Sequence, residues 1–185
     1  MAETRLEVIY SVTSTTYTTQ LFNVTGNFVK AELGDGTQLP DSIFAQENKA
    51  YLFDETGLTS VFYTLCGNTL VNDEFAGMTR IVGVNVPSTV TSIPERCFRN
   101  CSILSDAYIT SSVTNIASGA FENTAIEFFE IPATSVNGDS NMFCVLCAKS
   151  LHLYPTLCDL RDYSLPGSCV HGILQARILH WQADS

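Results

Sequence analysis

Positive charge is scarce in this chain: nine lysines and arginines stand against nineteen aspartates and glutamates, a formal charge of −10. A chain so short of cations has no patch that could neutralise a run of phosphates. Nucleic acid is therefore excluded as the main partner, and anionic membrane surfaces are disfavoured. Long apolar runs are also missing, and none reaches the roughly 18 residues of a membrane-spanning helix, so no membrane insertion is expected. The opening Met-Ala-Glu-Thr-Arg-Leu-Glu-Val has no basic stretch followed by an apolar one. The expectation is a chain without a secretory signal, cytoplasmic as synthesised.

Catalytic furniture is equally sparse. The three histidines, His152, His171 and His180, lie late in the chain, with none in a recognisable nucleophile setting. Neither common glycine-rich phosphate loop occurs. Seven cysteines, odd in number and unevenly placed, make a poor disulfide framework, and reduced thiols are the default reading. Cys144-Val145-Leu146-Cys147 would be half of a zinc site. Its only companion pair, Cys97 and Cys101, falls two repeats away, so packing is the better account of these thiols. The acidic pairs Asp54-Glu55 and Asp73-Glu74 read as solvated turn residues, with calcium as the alternative. The sequons at Asn23 and Asn100 carry little weight without an export signal. No cofactor or resident metal is expected, and the chain does not read as an enzyme.

What the chain does have is apolar residues, 45 % of the total, arranged with a period. Phe75, Phe98, Phe121 and Phe143 are separated by 23, 23 and 22 residues. Tyr63, Val86, Ile109, Ile131 and Tyr154 keep step with them, and Leu70, Ile93 and Ile116 form a third series. Each unit opens with a short β-type stretch, such as Ile81-x-x-Val84-x-Val86 or Leu104-x-x-Ala107-x-Ile109. Proline then ends the strand at Pro87, Pro132 and Pro155, because it removes a ladder donor. A polar loop with two inward apolar residues follows, and the unit closes on a small residue and a phenylalanine. About five buried side chains contribute roughly 1.5–3 kcal/mol each. Ordering a unit costs about 1–2 kcal/mol per residue, so units are stable only when stacked. The reading is a β-rich fold, with parallel coils stacked through residues 63–154 and a ladder of phenylalanines.

Val86-Pro87-Ser88-Thr89-Val90-Thr91-Ser92-Ile93 through Cys97-Phe98-Arg99-Asn100-Cys101 resembles the BspA-type leucine-rich repeat of bacterial, protist and phage surface proteins. Ile109 through Phe121 is similar to it as well, and the resemblance covers about residues 60–154. It implies a short right-handed leucine-rich-repeat-like solenoid whose strand face binds proteins, matrix or cells. The segment from Ile131 to Phe143 departs from the pattern, with Val136-Asn137-Gly138-Asp139-Ser140 in place of the usual loop.

The ends differ. Residues 1–62 carry strand-like stretches at 6–12, 28–33 and 60–65, a threonine-rich run at 13–19 and a Gly34-Asp35-Gly36 turn. A hairpin joining Tyr51-Leu52-Phe53 to 60–65 is expected to feed the first repeat strand. The segment reads as a small β N-terminal cap over the first coil, or alternatively as a separate attachment module. Residues 155–185 break the period. About 155–181 resemble the translation of a short interspersed repeat common in ruminant genomes, so this tail is read as not native to the gene, or else as an acquired one. It can form a helix with Val170, Ile173, Leu174, Ile178 and Trp181 near one face.

Two functional readings follow. The first is a non-catalytic scaffold contacting a protein or glycan through the strand residues that alternate with the buried series: Asn85, Tyr108, Phe128 and Glu130. The second is a structural component of a phage particle or appendage, since a virion protein is released by lysis without a signal. Self-association through the unpaired terminal coil is expected in either case.

Overall fold

The computed structural model describes residues 4–24 and 26–126 in full, and beyond them the backbone of three short strands. In chain order the elements are β1 (Thr4–Val12), β2 (Thr19–Gln20), β3 (Phe28–Leu33), the single helical turn α1 (Ser42–Ala45), β4 (Ala50–Tyr51) and β5 (Gly57–Leu65). They continue as β6 (Ile81–Val86), β7 (Ser92–Ile93), β8 (Asp106–Ile109), β9 (Asn115–Ile116), β10 (Phe128–Ile131), β11 (Asn137–Gly138) and β12 (Ser150–Leu153).

From β6 onward, four pairs of strands one period apart run parallel: β6 with β8, β7 with β9, β9 with β11 and β10 with β12. Gly83 faces Asp106 and Val86 faces Ile109 between β6 and β8. Ile93 faces Ile116 between β7 and β9, and β11 continues that short sheet. β10 and β12 pair in parallel as well. A partner 23 residues away sets each apolar side chain directly over its counterpart. Val86 and Ile109, Val90 and Val113, Ile93 and Ile116, and Ile81 and Leu104 are accordingly all buried. The three-residue gap between Ile81 and Val84 coincides with a bulge against β1. Tyr10 of β1 pairs with Ile81 and Ile9 with Gly83, which leaves Val82 as the extra residue of a bulge.

Opposite the sheet, the turns around the phenylalanines form a second ladder. The backbone N–H groups of Asp73, Phe75 and Gly77 donate to the carbonyls of Glu95, Cys97 and Arg99. Those of Arg96, Phe98 and Asn100 donate in the same way to Ser118, Ala120 and Glu122. Each turn needs two left-handed residues, again one period apart: Asp73, Arg96 and Gly119 at one position, Gly77, Asn100 and Asn123 at the other. Glycine and asparagine supply most of these because they enter that region at least cost. The rings inside the turns stack nearly parallel, with centroids 5.2 Å apart for Phe75 and Phe98 and 5.3 Å for Phe98 and Phe121. These distances follow the roughly 4.8 Å separation of neighbouring hydrogen-bonded strands. Phe143 lies outside the described residues.

The N-terminal strands join the same body. Strand order in the main sheet is β3-β5-β1-β6-β8, so β1 lies between β5 and β6 and runs antiparallel to both. The strand holding Tyr63 is therefore not hydrogen-bonded to the strand holding Val86, although the two are 23 residues apart. The hairpin expected between Tyr51-Leu52-Phe53 and 60–65 is not formed. β4 pairs with β2 instead, and β5 pairs with β1 and β3. Alternation marks a strand and its buried face but carries no information about its partner. β1, with nine residues and Leu6, Val8, Tyr10 and Val12 all buried, makes a longer pairing than any local hairpin there could.

Residues 21–28 run beside the first turn. Asn23 donates its backbone N–H to Glu74 and its side-chain amide to the carbonyls of Asp73 and Ala76. Phe22 and Phe28 close against Tyr63, whose ring is stacked on Phe28 at 4.6 Å, and Phe28 and Tyr63 both reach Phe75. The phenylalanine ladder thus ends in an aromatic cluster. Tyr10 completes it by donating to the Leu21 carbonyl at 2.6 Å and sharing a 2.9 Å hydrogen bond with the Tyr63 hydroxyl.

Phe98, fully buried between two rings, is the residue whose truncation tests this packing. Phe98→Ala is expected to lower unfolding free energy in urea by about 3–5 kcal/mol, the usual loss for a large aromatic deleted from a core. A loss below about 1 kcal/mol would show that the ring stack contributes little.

Candidate functional site

Alternation along β1 turns Leu6, Val8, Tyr10 and Val12 into the core, which leaves Arg5, Glu7 and Ile9 on the outer sheet face. The register carries that face across five strands. Glu32 lies opposite Phe62, Phe62 opposite Glu7, Glu7 opposite Asn85, and Asn85 opposite Tyr108.

Glu7 organises the middle of this row. Its Oε1 accepts a hydrogen bond from Ser60 Oγ at 2.7 Å, and its Oε2 accepts one from Asn85 Nδ2 at 2.6 Å. Asn85 is consequently half-buried and held, which corrects the expectation that it is an exposed strand-face residue. The cause is β1, which places a carboxylate where the repeat alone would leave open edge. At the β3 end, Lys30 and Arg5 lie 2.8 and 3.7 Å from Glu32, and Arg5 sits 4.8 Å over the Phe62 ring. The Lys30 ammonium, hydrogen-bonded to Glu32, holds that carboxyl below its ordinary range.

Tyr108, at the other end, is 64 % exposed. It is a large aromatic on a strand whose neighbour is fixed by hydrogen bonds. Phe128 and Glu130 belong to β10, and their side chains lie outside the described residues, as do Cys144, Cys147, His171 and His180.

The edges of the coils carry a second set of interactions that repeat with the period. Arg96 Nε and Nη2 each donate at 2.9 Å to the Asp73 carboxylate, 23 residues earlier. Arg99 Nε lies 2.8 Å from Glu122 Oε2, and Asn123 Nδ2 donates to Asn100 Oδ1 at 2.8 Å. The two charged pairs were legible in principle, because charges of opposite sign stand one period apart.

Glu74 corrects another expectation. It is not a solvated turn residue but is fully buried, with Oε2 accepting from the Val71 N–H at 3.2 Å and Oε1 unpartnered. Its register explains this, for Glu74, Cys97 and Ala120 occupy the same inward slot, and two of the three are small. Burial pushes the Glu74 carboxyl up to about 8. The same burial raises the Cys97 thiol, helped by the nearby Glu74 charge, and pushes Cys101 up to about 12. Cys101 Sγ donates to the Phe75 carbonyl at 3.1 Å. Neither thiol can supply a thiolate at neutral pH, so both are inert as nucleophiles. Among the described residues the cysteines are free.

Strands paired in parallel one period apart, a turn ladder and a hydrogen-bonded outer face define a repeat protein. The chain belongs to the BspA-type leucine-rich repeat family, whose model matches six copies over residues 15–151. The match begins well before residue 63, ahead of the point where the 23-residue spacing becomes legible. A leucine-rich repeat protein from Bacteroides ovatus is similar to it at 24 % identity, over 56 % of this chain and 30 % of that one, with a TM-score of 0.35. The aligned part thus spans less than a third of that protein's length. No curated protein matches the chain. Repeats of this family usually mediate protein interactions and are generally non-catalytic.

Glu74 makes stability depend on pH in a direction opposite to that of paired surface acids. Its folded-state value lies above the ordinary 4.5, so below about pH 4.5 the carboxyl is neutral both folded and unfolded and costs nothing. The penalty for ionising it grows as pH rises towards 8 and is then complete. Tyr63 and Cys97, which face it, stay neutral through this window. Glu74→Gln is expected to raise unfolding free energy on the order of 3 kcal/mol at pH 8.5 and to change it little at pH 4.5. Urea titrations at the two pH values check this, and an equal effect at both would refute it.

Proposed function

We propose that this chain is a non-catalytic interaction scaffold of the right-handed solenoid type, contacting a partner protein through the outer face of its sheet. In this reading residues 1–62 act as the cap that covers the first coil. The contact surface is the row Asn85, Tyr108, Phe128 and Glu130. Asn85 serves as a fixed frame, and Tyr108 supplies the area that a partner would cover. The observation that carries the reading is Tyr108 itself, since large exposed aromatics set in a rigid surface are the usual anchors of protein contacts. The family membership supports the same role. Ordered neighbours matter here because a side chain held before binding loses less freedom on binding.

Replacing Tyr108 with a photo-crosslinking phenylalanine analogue is expected to trap a protein, while the same analogue at exposed Leu58 or Val29 does not. Competition with unlabelled chain should abolish the adduct, and competition with the Tyr108→Ser variant should not. Tyr108→Ser should shift stability by no more than about 0.5 kcal/mol, the usual range for an exposed position. Equal labelling at all three sites, or a grossly unfolded Tyr108→Ser, would refute the assignment.

A further inference from the structure

A cleft of about 310 Å³ opens on a part of the molecule that the repeat face does not use, between loop 13–20 and the turn at 77–80. Its size lies at the lower end of small-molecule sites, roughly 300–1,000 Å³. Unlike most such sites it is polar. Thr13, Thr18, Thr19 and Thr79 line it, with Tyr17 and Arg80. No side-chain hydroxyl of these four threonines bonds to the protein among the described residues, so each is available as donor and acceptor. Tyr17 is 78 % exposed, a ring contributing nothing to the core.

Arg80 is the more telling residue. In a chain of net charge −10, its guanidinium makes no ion pair, hydrogen bond or ring contact among the described residues. Arg96 and Arg99, in neighbouring turns, are both paired with carboxylates. The walls that carry these groups are anchored by backbone. Ser11 N–H donates to the Arg80 carbonyl at 2.8 Å, Thr19 of β2 pairs with Tyr51 of β4, and Val12 and Met78 are buried beneath. Residues with free hydroxyls, one exposed ring and one unpaired guanidinium therefore line a single cleft whose backbone is anchored.

We propose that this cleft binds a sugar residue bearing a carboxylate. A pyranose presents hydroxyls around its edge for the threonines and a C–H face for the Tyr17 ring. A carboxylate matches the planar fork of Arg80 in a bidentate pair, which an ammonium could not offer. The site is distinct from the repeat face, and the proposal stands whether or not Tyr108 contacts a protein.

The test is an NMR titration of the full chain with methyl β-glucuronide, with methyl β-glucoside and sodium acetate as controls. Binding should perturb the Thr79 amide and the Tyr17 ring signals, with the glucuronide at least roughly tenfold tighter than either control, about 1.4 kcal/mol. Arg80→Gln and Tyr17→Ala should each weaken it about tenfold while leaving the spectrum of the core unchanged, and Tyr108→Ser should leave the affinity as it was. Equal binding of acetate would reduce the cleft to an anion contact, and equal binding of the glucoside would remove Arg80 from recognition. Either result, or no perturbation at Thr79 and Tyr17, overturns the proposal.

Discussion

The constraint on which everything else depends is that each coil must lie in register on the next. Two ladders enforce it from opposite sides: parallel strand pairing from β6 to β8, and the turn bonds linking residues 73–77, 95–99 and 118–122. The phenylalanine rings fill the space between the ladders at nearly the spacing that the backbone sets. Since one unit alone loses more in chain entropy than its few apolar side chains return, neither ladder can stand without the other. Left-handed residues at two positions per turn are the local cost of bending the chain so tightly.

The N-terminal segment meets the turn at residues 73–77 and the edge of β6 in two ways. On the turn side, Asn23 continues the hydrogen bonding past residue 73. On the strand side, β1 enters between β5 and β6 and reverses the local pairing from parallel to antiparallel. Insertion rather than simple covering has a consequence for the surface. It brings Glu7 against Asn85 and Ser60, so the outer face is cross-linked by side-chain hydrogen bonds where a plain repeat would be open. Tyr108 then stands at the border between the braced part of the face and the later coils.

The inward slot shared by Glu74, Cys97 and Ala120 shows how strictly the coil geometry overrides chemistry. A carboxylate is drawn into the core because its place in the period points inward, and it responds by favouring its neutral form. Cys97 and Cys101 are kept as unreactive volume by the same burial. Polar and cationic groups that remain available include those around loop 13–20 and Arg80.

From the amino-acid order alone came the period, the ladder positions Phe75, Phe98 and Phe121, the β-rich character and the kinship with BspA-type repeats, because stacking requires a like residue at each like position. The paired charges at Asp73 and Arg96 were available by the same rule. Tertiary structure alone decided which strand lies beside which, since alternation in β1 or β5 identifies a buried face and is silent about the neighbour. It likewise decided that Asn85 is held by a residue 78 positions away, and that Glu74 is buried in a turn that reads as polar. Long-range partners are set by how much surface a pairing buries across the whole molecule, a quantity that no local pattern of residues contains.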